Sequence, residues 1–178
     1  TQRPPTAQPR PQLTAEQAAV IDAIDIDGGF VPHLLFGVTG SGKTEVYLRL
    51  IERALALGQQ TLLLVPEINL TPQLEARVRA RFPEQTIVAL HSELAEAARE
   101  RHWLQALRGE ADVVLGTRLS IFTPLPRLGL LLVDEEHDAS FKQQDGMRYS
   151  ARDLAIVRAR QQNIPILFGS ATPALESW

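Results

Sequence analysis

A mostly parallel β-sheet with helices on both faces, a three-layer α/β/α arrangement, is the fold class this sequence predicts. Three observations predict it. Short apolar runs such as Leu130-Leu131-Leu132-Val133 recur without the alternation of a half-exposed strand, which marks strands buried on both faces of a helix-covered sheet. Between these runs lie longer stretches with helical spacing and capping signals. A glycine-rich turn follows directly on one run, Leu34-Leu35-Phe36-Gly37, and opens the next helical stretch.

The elements follow in order. The first twelve residues hold four prolines among polar and small partners, the composition of a linker or a disordered chain end, so the domain is expected over 13–178. In the first helix Thr14 and Gln17 have capping-box spacing, Ala18, Ile21 and Ile24 form an apolar stripe, and Gly28-Gly29 is the stop. A strand is expected over 31–36 and a helix over 44–57, closed by Gly58. The second strand follows at 61–65. The third helix takes Thr71 as N-cap with Pro72 at its first position, and Pro83 stops it. After a strand at 86–90, Ser92 is read as the cap of a charged helix reaching about residue 107, with Leu94, Ala97, Ala98, Trp103 and Leu104 as buried candidates. Strands at 112–116, 128–133 and 164–168 complete the sheet, with a helix from 150 to about 162 between the last two.

The totals bound the function. A chain of 178 residues with 44% hydrophobic and 22% charged residues is long enough for one domain with a proper core. No apolar run approaches a membrane span and no signal peptide is visible, so a cytoplasmic protein without membrane contact is expected. With no cysteine, disulfides and thiolate zinc sites are excluded. His33, His91, His102 and His137 lie at no metal-binding spacing, so no zinc or other protein-built metal site is expected. The net charge of −3 advertises no general basic face, so any phosphate-binding surface must be local. The chain opens on Thr1 and closes on Trp178 straight after a motif-like run, as a piece of a longer chain would.

The glycine turn carries the chemistry. Gly37-Val38-Thr39-Gly40-Ser41-Gly42-Lys43-Thr44 fits G-x-x-x-x-G-K-[ST] without a mismatch, a fit that average residue usage gives by chance in roughly one chain of this length in a hundred. A polyphosphate needs a tight ring of donors. Gly40 and Gly42 allow the backbone to turn its N–H groups inward, with no Cβ in the way, and the following helix aims its positive end at the same place. Lys43 can reach the β- and γ-phosphates, and the Thr44 hydroxyl can ligate Mg²⁺. The plain alternative is an ordinary turn between strand and helix.

A second signal follows the apolar run at 130–133: Asp134-Glu135-Glu136-His137. A buried strand delivers an acidic pair to its C-terminal end, where ligands of such sheets bind. Asp134 can hold Mg²⁺ through water and Glu135 can orient and deprotonate an attacking water. The alternative is an exposed acidic turn capping the sheet. Gln17 also has two readings: its amide completes the capping box, or it reads the N6/N7 edge of adenine with one donor and one acceptor.

This acidic run with the Gly-Ser-Gly-Lys-Thr loop upstream resembles the DExH branch of superfamily 2 helicases. Leu62 to Gln73 looks like motif Ia, Val114-Leu-Gly-Thr-Arg118 like motif Ib, and Phe168-Gly-Ser-Ala-Thr-Pro like motif III. With the stretches 66–73 and 140–153, the chain is similar within that branch to the primosomal helicases that restart stalled bacterial replication forks, from Leu13 to its end. The resemblance implies the first of two RecA-like P-loop NTPase lobes of an ATP-dependent 3′-to-5′ DNA helicase. It implies ATP and Mg²⁺ as cofactors, forked and single-stranded DNA as partners, and contacts with single-stranded-DNA-binding protein and other primosome proteins.

Residue by residue, the resemblance gives Gln17, Gly37, Thr39, Gly40, Ser41, Gly42, Lys43 and Thr44 to the nucleotide, Lys43, Asp134 and Glu135 to catalysis, and Thr44 and Asp134 to Mg²⁺. His137, Ser170 and Thr172 match residues coupling hydrolysis to DNA movement, with strand-end capping as their alternative. The loop 138–149 resembles an aromatic-rich loop that holds single-stranded DNA: Phe141 and Tyr149 supply ring faces, Lys142 and Arg148 supply charge, and Gln143, Gln144 and Asp145 are placed to signal to the acidic run; the alternative, expected without DNA, is that its aromatics rest on the domain's own surface. Met147 stands there where relatives often have an aromatic ring. Thr117 and Arg118 are candidates for phosphate contact, Arg118 having a structural ion pair as its alternative, and Leu119 departs from the small polar residue expected next to them. Helicase ATPases complete their site with arginines of the second lobe, so little hydrolysis is expected from this chain alone. A transporter ATPase would carry a Leu-Ser-Gly-Gly-Gln type loop, and a small-molecule kinase a lid and acceptor pocket; neither is recognisable.

Overall fold

The computed structural model describes residues 10–37, 41–135 and 150–170. Among these, six strands form one sheet: β1 (Pro32–Phe36), β2 (Gln60–Leu64), β3 (Ile87–Leu90), β4 (Val113–Gly116), β5 (Leu128–Val133) and β6 (Ile166–Ser170). Their order is β1-β6-β5-β2-β4-β3, and every neighbouring pair is parallel. Side chains along each strand alternate between faces, and the helices divide accordingly. Leu63, Ala89, Leu115, Leu132 and Leu167 meet α1 (Ala15–Ala23), α2 (Ser41–Ala56) and α3 (Pro72–Arg81). Leu62, Val88, Val114, Leu131 and Ile166 meet α4 (Glu96–Leu107) and α5 (Ala151–Gln162). The predicted three-layer α/β/α class is what the chain forms.

Local chemistry sets most boundaries as expected. The Thr14–Gln17 capping box is complete, Thr71 accepts from the Leu74 amide at 3.2 Å with Pro72 behind it, and Gly58 takes φ +71° after α2. Four expectations are corrected. α1 stops at Ala23, short of Gly28, because Asp25 accepts from the Asp27 amide at 3.0 Å and so offers the chain a turn in place of a further helical bond. α4 starts at Glu96, and Ser92 does not cap it: the cap position is Ala95, without a side-chain bond, while Arg99 reaches back to the carbonyls of Ser92 (3.2 Å) and Leu94 (3.4 Å). On α4 the buried residue is Ala106, whereas Trp103 is 38% exposed and Ala97 is exposed. β6 begins two residues later than expected, because Asn163 closes α5 in the left-handed region (φ 53°) while its side chain accepts from the Phe30 amide at 2.9 Å. β1 also departs from the rule of burial on both faces: Leu35 joins the core on the α1–α3 side, while Leu34 and Phe36 are exposed and no β1 residue joins the α4–α5 core.

A buried anion ties α2 to α3. Glu45, 3% exposed, accepts from Arg49 Nε at 2.8 Å and from Arg81 Nη2 at 2.7 and 2.9 Å, with Arg77 at 3.6 Å. Burial alone would raise its pKa, but the bonds and charges of Arg81 and Arg49 outweigh that and hold the carboxyl below its ordinary value.

Candidate nucleotide site

The glycine turn leaves β1 where Gly37 donates to the Ser170 carbonyl at 3.1 Å, and α2 begins at Ser41. The helix thus starts earlier than expected, and Gly42 and Lys43 fall within its first turn, where backbone N–H groups lack helical partners. Val38, Thr39 and Gly40 lie outside the described residues, as does the side chain of Ser41. Gly37 leaves room for the lysine: a Cβ there would come to 3.1 Å from Lys43 Cγ, so that side chain would have to shift by a few tenths of an ångström.

Lys43 is 6% exposed and its ammonium meets the acidic pair at the end of β5. It hydrogen-bonds the Glu135 carboxylate and lies 3.8 Å from Asp134 Oδ1. Glu135 adopts φ 47°, a left-handed conformation unusual for a residue with a Cβ. Thr44, half-buried, follows Lys43 on α2. Tyr47, one turn further along, donates its hydroxyl to Asp134 Oδ1 at 2.6 Å. Burial pushes the Asp134 carboxyl above its ordinary value, with Glu135 adding to the rise and Tyr47 and Lys43 opposing it. Burial and the Asp134 charge push the Tyr47 hydroxyl well above its own, so it stays a donor.

Gln17 fulfils its capping role and also touches the turn. Its Oε1 accepts from the Thr14 amide at 2.9 Å and its Nε2 donates to the Gly42 carbonyl at 3.0 Å. Beside it a cavity of about 360 Å³ is lined by Gln17, Leu35, Gly37, Gly42, Lys43 and Val46. A buried cation, two carboxylates and a hydroxyl converging beside such a cavity fit a nucleoside triphosphate with Mg²⁺, a hard cation that takes oxygen ligands. The phosphates would be held by Lys43 and the N–H groups of the first turn of α2, the metal by Thr44 and Asp134.

The other predicted residues separate into two groups. Ser170 is the last residue of β6 and fully buried; Thr117 (6% exposed) and Arg118 follow β4 at the same end of the sheet. His137, Thr172, Phe141, Lys142, Gln143, Gln144, Asp145, Met147, Arg148 and Tyr149 lie outside the described residues.

Sequence reasoning passed over Tyr47 and Glu45. Both had a signal, a polar group among the apolar residues Val46, Leu48, Leu50 and Ile51 on a helix bound for the core, where each needs a partner. Gly169 belongs with Tyr47. A Cβ at Gly169 would sit 1.7 Å from the Tyr47 hydroxyl and 3.1 Å from Asp134 Oδ1. Gly169→Ala is therefore expected to drive a 2% exposed ring out of place, lower stability by about 1–3 kcal/mol, and reduce ATP turnover with it. A thermal melt beside an ATPase assay checks both, and a variant identical to wild type in both would refute the packing described here.

The DEAD/DEAH box helicase family model matches residues 14–177. The chain is 50% identical over 171 residues to the replication restart protein PriA of Haemophilus influenzae, covering 96% of this chain and 23% of that protein. It is 46% identical over 170 residues to PriA of Bacillus subtilis, covering 93% and 21%. The chain thus spans about a quarter of the length of the curated relatives it matches. Among solved structures it is similar to RecG bound to a three-way DNA junction, with a TM-score of 0.66 and 25% identity over 93% of this chain and 22% of that one. A SWI2/SNF2 ATPase core of Sulfolobus solfataricus in complex with double-stranded DNA shares the fold, with a TM-score of 0.60 and 15% identity over 92% and 33%.

Proposed function

The chain belongs to the DEAD/DEAH box helicase family, and on that premise we propose that residues 13–178 form the first RecA-like lobe of an ATP-dependent DNA helicase acting in replication restart with 3′-to-5′ polarity. The observation that carries this reading is Lys43 held between Asp134 and Glu135 at the C-terminal end of the sheet. A lysine poised for phosphate and a metal-binding carboxylate are thereby within one contact of each other. The likeness to the PriA proteins supports the place in replication restart.

In this reading Lys43 and the first turn of α2 hold the phosphates, and Thr44 and Asp134 hold Mg²⁺, which supplies charge neutralisation when bound. Glu135, released by Lys43, orients and deprotonates the attacking water. Tyr47 keeps Asp134 in position. Gln17 reads the base, and Thr39, Gly40 and Ser41 complete the phosphate ring. His137, Ser170 and Thr172 couple hydrolysis to movement, while Thr117, Arg118, Phe141, Lys142, Arg148 and Tyr149 contact single-stranded DNA. Residues 1–12 lie ahead of the lobe, as a linker or a chain end. The protein works in the bacterial cytoplasm on forked DNA, with single-stranded-DNA-binding protein and other primosome proteins as partners and no zinc in this segment. No helix among the described residues is long and apolar enough to cross a membrane.

The second lobe's arginines are needed to fire hydrolysis, at a typical worth of 10³ or more in rate. Steady-state ATPase assays on residues 1–178 and on the intact protein, each with and without single-stranded DNA, test this. Expected are near-background turnover from the lobe alone, DNA-stimulated turnover from the intact protein, and unwinding of a duplex with a 3′ tail. Turnover indifferent to DNA in the intact protein would overturn the helicase reading, and robust turnover by the lobe alone would overturn the division of labour.

A further inference from the structure

We propose that a cavity between α4 and the turn after β4 is a nucleobase pocket, in which one base of single-stranded DNA stacks against Trp103 while flanking phosphates meet Arg99 and Arg118. The proposal rests on the DNA-helicase reading above and deepens it, since it adds base contact to a surface otherwise expected to touch only phosphate.

The cavity measures about 260 Å³ and is lined by Trp103, Arg99, Arg118, Leu119, Thr123 and Glu67 among others. At about 30 Å³ per water that is the space of eight or nine waters, enough for one flat ring system and its solvent. It lies at the C-terminal ends of β3 and β4, on the other side of β2 from the acidic pair on β5, so it is separate from the nucleotide site yet opens at the same end of the sheet.

Three features of the lining fit a base. Trp103 is 38% exposed and Leu119 62% exposed; on α4 Ala106 is buried and His102 Nδ1 lies 2.8 Å from the Ala89 carbonyl of β3, while the indole lines the cavity. An aromatic face with cations at its rim is the arrangement that binds single strands, by stacking and phosphate attraction together. Arg99 is anchored through Nη2 to the carbonyls of Ser92 and Leu94, which fixes the guanidinium at the rim. Glu67 presents an acceptor at the same cavity, which favours bases carrying an exocyclic amino group, as on cytosine, over thymine. A peptide ligand would need neither two arginines nor a ring-sized slot.

The test uses the intact protein, a fluorescein-labelled oligo(dC) and an abasic phosphodiester strand of the same length, with DNA-stimulated ATPase followed in parallel. Stacking of one base typically accounts for about five- to a hundredfold in affinity. Wild type is expected to prefer oligo(dC) to the abasic strand by about that factor. Trp103→Ala should lose most of this preference and leave abasic affinity unchanged, and Trp103→Phe should keep part of it. Leu119→Asp, at a position exposed enough to leave the core alone, should repeat the loss. Wild-type strands binding with equal affinity, or Trp103→Ala and Leu119→Asp both keeping the preference while DNA still stimulates the ATPase, would overturn the pocket and leave the helicase reading standing. Failure of the wild type to bind either strand, together with an ATPase indifferent to DNA, would remove both.

Discussion

Lys43→Ala is expected to abolish ATP turnover in the intact protein, a fall of about 10²–10³-fold or more, the range seen when one preorganised charge-stabilising donor is removed. The ammonium that now meets Glu135 and Asp134 is the cation placed to meet phosphate oxygens. Its loss has a second effect, because the two carboxyls, 19% and 16% exposed for Asp134 and Glu135, are left facing each other without a counter-charge. Burial already pushes Asp134 upward against the pull of Lys43, so removing the lysine should raise its pKa further. Loss of turnover with ATP binding only weakened would place Lys43 at the reacting phosphate; wild-type turnover would sink the nucleotide assignment. A thermal melt of the same variant separates a chemical defect from a folding one.

The second large effect is on stability. Glu45→Ala should cost about 3 kcal/mol, the lower end for removing one partner of a buried ion pair, because Arg49 and Arg77 are 21% and 35% exposed and can turn to water while Arg81, at 13%, cannot. At roughly 2–4 °C per kcal/mol for a domain of this size, the melting temperature falls by about 6–12 °C. The pH dependence follows from the depressed carboxyl. Its stabilisation is complete above the ordinary carboxylate value and is lost as pH falls through the lower folded value. The gap in melting temperature between wild type and Glu45→Gln should therefore be widest near neutral pH and close in acid. A gap that widened on acidification would contradict the ion-pair account.

How much of this was legible in the sequence depended on how local each cause was. The capping box at Thr14, Pro72 behind Thr71 and Gly58 after α2 are short-range devices, and they appear where the residues put them. The run Leu130–Val133 declared both its burial and the place of the acidic pair. What escaped depends on distant partners. β1 looks like any central strand in sequence, but its single neighbour among the described residues, β6, is more than a hundred residues away, and Leu34 and Phe36 stay exposed because only Leu35 of β1 joins a core cluster. Ser92 looked like a cap until Arg99 claimed the carbonyls beside it. Trp103 looked like core until Ala106 took the sheet contact. Lys43 and Glu135 were expected in one site but on phosphate and water, so their direct contact was not foreseen, and neither was the Tyr47–Asp134 bond, which joins positions that only packing brings side by side.

Each end of the Gln17 amide already carries one bond to the protein, with Thr14 on its oxygen and Gly42 on its nitrogen, and each keeps one further bonding position, a lone pair and an N–H. Adenine recognition through this side chain can therefore add to the bonds already made, with the amide held in one orientation before the base arrives. A neutral hydrogen bond contributes only about 0.5–1.5 kcal/mol. Tightness should come from the triphosphate and discrimination between bases should be shallow. Because one side chain joins the cap of α1 to the phosphate turn, the first helix of the chain is positioned to report which nucleotide, if any, is aboard.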